Sequence, residues 1–172
     1  CSGKKFTAAD VIYSFTRPNY SHKIRLPAVS PLRDSIKILN PLGEDTSIMR
    51  TTALPSMLEI LTRNYNFRNK AARLYELGRV YFPRADGLAD EPETLSLGAY
   101  GEGMDFYRLK GWVEALLRAL RTGRPEFAAV KDNPSYHPGR CARVSVDGTE
   151  VGVFGQIHPK TAENYGVDAE VF

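Results

Sequence analysis

The sequence predicts a single α+β domain, residues 1–172, in which an antiparallel β-sheet is flanked by helices. Two stretches carry apolar residues at helical spacing, and most of the others alternate as strands do, with turn residues joining neighbouring strands. Strands and helices do not alternate regularly, so a parallel βαβ arrangement is not expected. A hydrophobic share of 42% excludes a disordered chain, and a net charge of +3 permits an RNA partner without arguing for one.

The first segments predict strands separated by a loop. Ala9–Phe15 is rich in β-branched and aromatic residues, which favours a strand, whereas residues 19–30 have no clear period and predict a loop or a short helix. Ser35–Leu39 predicts a second short strand, closed by a turn at Asn40–Gly43.

The clearest helix signal covers Thr52–Phe67. Thr51 and Thr52 are good N-cap residues, and Pro55 is tolerated in a first helical turn. The apolar residues that fall on one helical face are Leu54, Met57, Leu58, Leu61 and Tyr65.

Leu74–Phe82 and Thr94–Tyr100 predict two strands joined by an acidic loop over residues 83–93. Asp105 is the expected N-cap of a second helix, and Pro125 marks the exit from it. The apolar stripe of this helix consists of Leu109, Trp112, Val113, Leu116, Leu117 and Leu120.

The last third contains the best hairpin signal. After a candidate strand at Glu126–Val130, Arg143–Val146 and Glu150–Phe154 flank Asp147-Gly148, a pair that favours a type I′ turn. A short helix is expected from Pro159 to about Tyr165, and Ala169–Phe172 is typical of the beginning of a strand.

Catalytic and metal signatures are absent from the sequence. His22, His137 and His158 lack the clustered partners of a zinc site, although Cys141 follows His137 by four residues, and turn or surface histidines are the simpler interpretation. Asp86, Asp90, Glu91 and Glu93 read as a solvated loop, and the glycines of GAYGEG read as a strand exit because the lysine of a phosphate loop is missing.

Cys1 and Cys141 are expected to be free thiols in a reducing cytoplasm. No stretch is long and apolar enough to span a bilayer, and no signal peptide is visible. A cytoplasmic protein without membrane contact is therefore expected. The chain begins without Met, which suggests a fragment of a larger protein.

A basic segment follows the first helix. Its cations, which are interleaved with Tyr65 and Phe67, are Arg63, Arg68, Lys70 and Arg73. Cations beside aromatic rings suit RNA, because they bind phosphates while the rings stack on bases. Cations at the end of a helix also complement its dipole, and the sequence leaves both interpretations open.

Several motifs, taken in order, resemble the β subunit of bacterial phenylalanyl-tRNA synthetase. They are VIYSF at Val11–Phe15, NPLGEDTSIMRTTALPSML at Asn40–Leu58, RLYELGRVYF at Arg73–Phe82 and HPGRCARVSVDGTEVGVFGQIHPKTAENYG at His137–Gly166, with DFYRLKGWVEALLRAL at Asp105–Leu120 fitting the helix of the same region. Together they cover most of the chain. The resemblance implies the class II aminoacyl-tRNA synthetase or biotin ligase-like fold.

The resemblance also implies a division of labour. The paired α subunit carries ATP, phenylalanine and the aminoacylation of tRNA(Phe), in an (αβ)₂ heterotetramer that uses ATP and Mg²⁺. The β-subunit copy of the fold is implied to be non-catalytic, so no catalytic, cofactor or metal residue is expected in this chain. No substrate suggests itself for Arg50 or Glu44 of the longest motif.

Three departures from catalytic class II sheets favour an inactive core. Phe82 is read at the strand end where an ATP-binding arginine would lie, and Arg84 comes two residues too late. TLSLGAY replaces an acidic-aromatic pattern on the next strand. The glycine-rich motif with a second ATP-binding arginine is also missing, because its closest counterpart here, VFGQIHPKT, offers Lys160 but no arginine.

The leading hypothesis is an assembly module that docks the α subunit through the helix Thr52–Phe67 and neighbouring strand surfaces. Ile60 lies off the apolar stripe, which suggests a second contact face, and the candidate interface residues are Leu54, Met57, Ile60 and Leu61. The alternatives are a tRNA-binding module that uses the basic segment and an active ATP-dependent ligase of the biotin-ligase type.

Overall fold

The computed structural model describes residues 36–85 and 87–172. The strand predicted at Ala9–Phe15 and the loop or short helix predicted at residues 19–30 lie outside the described residues. The elements are, in chain order, a 3-10 helix Glu44–Thr46, α1 Leu54–Asn66, β1 Ala71–Arg79, β2 Phe82–Pro83, β3 Ala89–Asp90, β4 Glu93–Gly101, α2 Phe106–Ala119, β5 Pro125–Ala129, β6 Tyr136–Val146, β7 Thr149–Ile157 and α3 Pro159–Asn164.

Residues 36–50, which we call the arm, fold back on themselves. Lys37 and Ile48 form an isolated antiparallel bridge, and two flanking backbone hydrogen bonds of 2.9 Å hold the two sides together. Only a bridge therefore remains of the strand predicted at Ser35–Leu39, whose first residue is outside the described ranges. The predicted turn leads directly into the 3-10 helix, because Pro41 cannot donate a hydrogen bond to extend the ladder.

Helix α1 begins later than its expected caps. Its N-cap residue is Ala53, without a side-chain cap, and Thr52 only accepts a 3.3 Å bond at Oγ1 from the backbone of Leu54. The prediction of a threonine cap at Thr51 or Thr52 is therefore wrong. Pro55 explains the difference, since it sits in the first turn as expected and removes one of the N–H groups that a cap would satisfy.

Strand β1 pairs with β4 along its whole length, from Ala71 opposite Gly101 to Arg79 opposite Glu93. It begins and ends earlier than the predicted Leu74–Phe82. The ladder stops because the next position on the partner side is Pro92, which has no N–H and only accepts a bond from Val80. Phe82 belongs instead to the small β2–β3 hairpin, most of which lies within the predicted acidic loop.

The predicted hairpin is confirmed between β6 and β7. Asp147 and Gly148 have φ values of 50° and 77°, the left-handed pair that a type I′ turn needs. Strand β5 pairs antiparallel with β6, close to its predicted position.

The segment at Val171–Phe172 links the two larger sheets. Val171 forms an antiparallel bridge with Tyr100 of β4, and its carbonyl accepts a 2.8 Å bond from Ile157 at the end of β7. Phe172 exchanges two backbone bonds with Ala99. Only this bridge forms in the segment that was expected to start a strand.

Two apolar cores cover opposite faces of the strands. Tyr100 belongs to the core under α1 and α3, while its neighbour Ala99 belongs to the core under α2. Successive strand residues point to opposite faces, so α1 and α2 lie on different sides of β4. Asp105 caps α2 as predicted, accepting a 2.7 Å bond from Arg108 N–H. The predicted α+β class with antiparallel strands and flanking helices is confirmed.

Candidate functional site

The end of β1 is where the base of the arm joins the sheet, near the strand end at which catalytic class II sheets were expected to carry an ATP-binding arginine. Leu74 packs against the core under α1, so Glu76 and Gly78 share that face. The side chains on the other face of β1 are Arg73, Tyr75, Leu77 and Arg79. We call this second face, with its β4 counterpart, the open face.

Arg50 anchors the base of the arm to β1. Its Nη2 atom lies 2.6 Å from Oε1 of Glu76, and its Nε–H donates a 2.8 Å bond to the carbonyl of Arg79. Its own carbonyl accepts a 2.9 Å bond from Tyr81 N–H. Arg50, for which the sequence suggested no substrate, therefore has a structural role.

Gly78 makes room for this anchor. A Cβ atom at position 78 would clash with the guanidinium of Arg50 and would lie 2.6 Å from Oε1 of Glu76. The absence of a side chain is therefore what lets the ion pair lie flat over the strand. The pair is mostly shielded, with 31% of the Arg50 side chain and 19% of the Glu76 side chain exposed.

The open face of β1 ends at Arg79. Arg79 is the last residue of β1, so the expectation that this strand extends to Phe82 is wrong. That Phe82 takes the place of an ATP-binding arginine stays a prediction. Nη1 of Arg79 pairs with Oε2 of Glu91 at 3.2 Å, and both side chains are largely exposed. Arg84 lies at the tip of the β2–β3 hairpin, where its N–H donates to Leu88.

The rest of the open face is apolar. Leu77 lies directly opposite Leu95 in the ladder, and both are exposed, while Tyr75 lies opposite Leu97. The hydroxyl of Tyr75 is buried and has no hydrogen-bond partner among the described residues. Among the described residues of β1 and β4, charged side chains on this face therefore lie only towards its ends.

Two of the four candidate interface residues on α1 belong to the core. Met57 and Leu61 are buried against β4, where Gly98 lets the helix come so close that an added Cβ would lie 2.6 Å from Cγ of Met57. Leu54 is partly buried against the same core. Only Ile60, which is 42% exposed, offers an apolar surface to a partner.

The four cations of the basic segment do not share one surface. Arg63 lies in the last turn of α1, Arg68 and Lys70 lie in the connection that follows, and Arg73 lies on the open face of β1. All four are exposed. The sheet therefore separates Arg73 from the helical cations.

The aromatic residues of the basic segment also divide. Tyr65 packs edge-on against Tyr100, with ring centroids 5.8 Å apart, and donates a 3.2 Å bond to the carbonyl of Asp168. It is therefore part of the fold and not a platform for bases. Phe67, at the end of α1, is 77% exposed.

The described histidines have turn and capping roles. Nδ1 of His137 accepts a bond from Gly139 N–H at 3.0 Å, and Nδ1 of His158 caps α3 by accepting from Lys160 N–H at 3.2 Å. His22 lies outside the described residues. Within residues 36–85 and 87–172, no group of three or more histidine, cysteine or acidic side chains is arranged to hold a metal ion.

Cys141 is a buried free thiol. Burial, with a smaller contribution from Asp132, raises the pKa of the thiol, so it stays protonated at neutral pH and is a poor nucleophile. Cys1, the other cysteine, lies outside the described residues, as does Asp86 of the acidic loop. Glu91 of that loop is the partner of Arg79, which is consistent with a surface loop.

The cavities on the described surface include a large groove and a smaller pocket. A groove of about 760 Å³ runs beside α3, where Glu163, Asp168 and Glu170 line it, and a smaller cavity of about 250 Å³ lies between α2 and the β5–β6 pair. Glu170 accepts a 2.7 Å bond from Arg140, which also bonds Gln156. None of the described helices has the length and apolar character needed to cross a bilayer.

Comparison with known proteins identifies relatives over nearly the whole chain. The model of the family described as "Phenylalanyl tRNA synthetase beta chain CLM domain" matches residues 10–172. The phenylalanine–tRNA ligase β subunit of Clostridium tetani is 42% identical over 164 residues, which are 94% of this chain and 21% of that protein. The β subunit of Clostridium acetobutylicum is 41% identical over 162 residues, 93% of this chain and 20% of that protein.

A third relative, the β subunit of Geobacter metallireducens, is 35% identical over 175 residues, covering 94% of this chain and 22% of that protein. The chain thus spans about a fifth of the length of these relatives. Among solved structures, the pyrrolysyl tRNA synthetase PylSc of Desulfitobacterium hafniense matches with a TM-score of 0.62 and 16% identity, over 82% of this chain and 50% of that one. This likeness confirms the class II synthetase fold.

Proposed function

Because the chain belongs to the family of phenylalanyl tRNA synthetase β chain CLM domains, we propose that it is the non-catalytic class II core of a phenylalanine–tRNA ligase β subunit. In this role it supports assembly with a catalytic α subunit, as an (αβ)₂ heterotetramer in the cytoplasm. The α subunit binds ATP, Mg²⁺ and phenylalanine and esterifies tRNA(Phe), while this domain binds no cofactor.

The apolar open face is the observation that carries the non-catalytic role. Gripping a nucleotide takes hydrogen-bond donors and charges that converge on the phosphates, and arginine is the usual choice. Here the centre of the face presents the leucine pair Leu77 and Leu95, and the arginine at its edge, Arg79, is turned to Glu91. An apolar strip of this kind suits contact with protein better than contact with a triphosphate.

Arg79→Ala separates this proposal from the active-ligase alternative. Full-length β subunit carrying the substitution is assembled with wild-type α subunit, and ATP–pyrophosphate exchange and aminoacylation are measured. We expect both rates to stay within about twofold of wild type, because Arg79 contacts no substrate in this proposal. If Arg79 bound the ATP that is consumed in catalysis, its replacement by alanine would lower both rates about 100-fold or more.

Arg143→Ala is the matched control, since Arg143 also forms an exposed ion pair on a strand, at 3.0 Å from Glu150. A loss that is specific to Arg79→Ala would overturn the non-catalytic role. Equal small losses in both variants would reflect only the removal of a surface charge.

Ile60 is the residue of α1 that supports docking through this helix. Ile60→Asp places a charge on the exposed apolar side chain without touching the core beneath Met57 and Leu61. We expect co-purification with the α subunit to fall at least tenfold. Tyr107→Asp, at an apolar position of α2 that is even more exposed, is the control, and undiminished assembly with Ile60→Asp would remove α1 from the interface.

Binding of tRNA is a second candidate, supported by the exposed cations Arg68 and Lys70 beside the exposed ring of Phe67. Lys70→Gln should weaken binding of tRNA(Phe) to the holoenzyme. The slope of the logarithm of the binding constant against the logarithm of the salt concentration should become shallower by about one, because one fewer counterion is released. Arg73→Gln, on the opposite face of the sheet, is the control. Identical affinities in wild type and Lys70→Gln would exclude this surface.

A further inference from the structure

We infer that residues 66–70, which we call the cationic turn, bind an unpaired nucleotide of tRNA. Its base stacks on the ring of Phe67, and Arg68 and Lys70 hold the adjoining phosphates. This inference rests on the tRNA-binding function proposed above and names the part of the RNA that the surface recognises. Phe67 is 77% exposed and belongs to neither apolar core of the described residues, so the described fold gives its ring no packing role.

Hydrogen bonds hold the cationic turn in one shape although its side chains are exposed. The N–H of Phe67 donates a 3.1 Å bond to the carbonyl of Arg63. The side-chain amide of Asn69 donates a 3.0 Å bond to Oδ1 of Asn64, and the carbonyl of Asn69 accepts a 2.9 Å bond from the hydroxyl of the buried Tyr100. A ring that is already held in place loses little conformational entropy when a base stacks on it.

The charge of the cationic turn suits phosphate. Between Glu59 and Glu76 the sequence contains no acidic residue. Arg68 and Lys70 are exposed, and within the part of the chain that the structure describes no salt bridge engages either of them, including with Glu102, the first residue after β4. Exposed cations beside an exposed aromatic ring are the combination by which proteins bind single-stranded RNA.

The ring selects an unpaired base. Bases inside a duplex stack on one another and leave only their edges and the phosphates to a protein, so a duplex could use the two cations but not the face of Phe67. Residues 1–35 are a poor electrostatic partner for the turn, because they carry six lysines and arginines against two aspartates. RNA, in contrast, supplies a phosphate with every nucleotide.

The test uses full-length β subunit assembled with its own α subunit, and the affinity for tRNA(Phe) is measured at several salt concentrations. Phe67→Leu should weaken binding about tenfold without changing its salt dependence, because the stacking is lost while both cations remain. Phe67→Trp, which keeps a stacking ring, should bind as tightly as wild type. Chemical probing of the bound tRNA should show an unpaired base that wild type protects and Phe67→Leu leaves reactive.

Tyr107→Leu is the matched control. It removes a ring of almost equal exposure, 78%, from α2, which lies on the other side of β4. We expect its affinity for tRNA(Phe) and its protection pattern to equal those of wild type.

Several outcomes would overturn the inference. They are an unchanged affinity of Phe67→Leu, an equal loss in Tyr107→Leu, and altered protection in paired stems alone. Weaker αβ association or a lower melting temperature of the β subunit, with tRNA affinity intact, would place the ring against protein instead. The proposed tRNA-binding function fails separately, if Lys70→Gln leaves the affinity unchanged. A loss in Lys70→Gln without one in Phe67→Leu would reject only the stacked base.

Discussion

Arg50 and Arg79 meet at the end of β1 from opposite faces of the sheet. Arg50 lies over Gly78 on the face of α1, where it bonds a shielded carboxylate and a backbone carbonyl. Arg79 lies on the open face, where 57% of its side chain is exposed and one carboxylate at 3.2 Å pairs with it. The same residue type therefore holds the fold together on one face and contributes a weak surface pair on the other.

Burial accounts for the difference between the two arginines. An exposed ion pair contributes between zero and about 1 kcal/mol, because water solvates both charges nearly as well. A shielded carboxylate depends on its partner, since removing the cation leaves a charge that water cannot fully reach. The face of a strand thus decides whether an arginine is structural.

Gly78→Val should have the largest effect, because it breaks the Arg50 side of this comparison directly. The new side chain would occupy the space of the guanidinium and of the Glu76 carboxylate, and we expect the local stability of β1 to fall by about 3 kcal/mol. Hydrogen exchange of the β1 amides in the full-length β subunit measures this loss.

Gly152→Val provides the control for this substitution. Gly152 also lies in a strand, but its nearest neighbour to an added Cβ is Val144 Cγ1 at 3.8 Å, an ordinary contact. The valine should be tolerated there, because β-branched residues suit strands. Similar losses of local stability at both positions would mean that the contacts of Arg50 do not stabilise β1 specifically.

Arg50→Gln and Arg79→Gln compare the two faces with identical chemistry. Arg50→Gln should cost about 2 kcal/mol, since Glu76 and the carbonyl of Arg79 both lose their donor, whereas Arg79→Gln should cost less than about 0.5 kcal/mol. The same hydrogen-exchange measurement applies. Equal costs would contradict the assignment of Arg50 as the anchor.

Local signals were sufficient for the elements that depend on neighbouring residues. Asp105 caps α2 and the Asp147-Gly148 pair makes its turn because both effects act over a few residues along the chain. The family and its class II fold also followed from the motifs. These parts of the molecule could be predicted.

Features set by distant residues could not be predicted in the same way. The end of β1 depends on Pro92 across the ladder, so the strand ends at Arg79 and not at Phe82, where the sequence predicted its end. Periodicity likewise placed Met57 and Leu61 on the apolar face of α1 but did not distinguish a partner surface from the core. The contact of Arg50 with Glu76 has no local signature.

Arg68 lies where the chain crosses from α1 to β1, and its replacement by glycine should have a smaller effect than the changes at Gly78 and Arg50. Its φ of 60° is left-handed. Its N–H donates to the carbonyl of Tyr65, and the N–H of Asn69 donates to the carbonyl of Asn64. This hydrogen-bond pattern is typical of helix ends that favour glycine. Arg68→Gly should therefore raise the local stability of α1 by about 1 kcal/mol, and Arg68→Gln should not.

The pair of substitutions also separates backbone from charge. Both remove the same cation, so if Arg68 contacts tRNA, glycine and glutamine should weaken binding of tRNA(Phe) equally, whatever they do to α1. Hydrogen exchange at the end of α1 and tRNA titration at two salt concentrations measure the two effects independently. Unequal affinities would show that the arginine acts on tRNA through the conformation of the turn. An unchanged affinity in both variants would mean that Arg68 affects only the backbone conformation. Its side chain would then lower the stability of the fold, whereas that of Arg50 raises it.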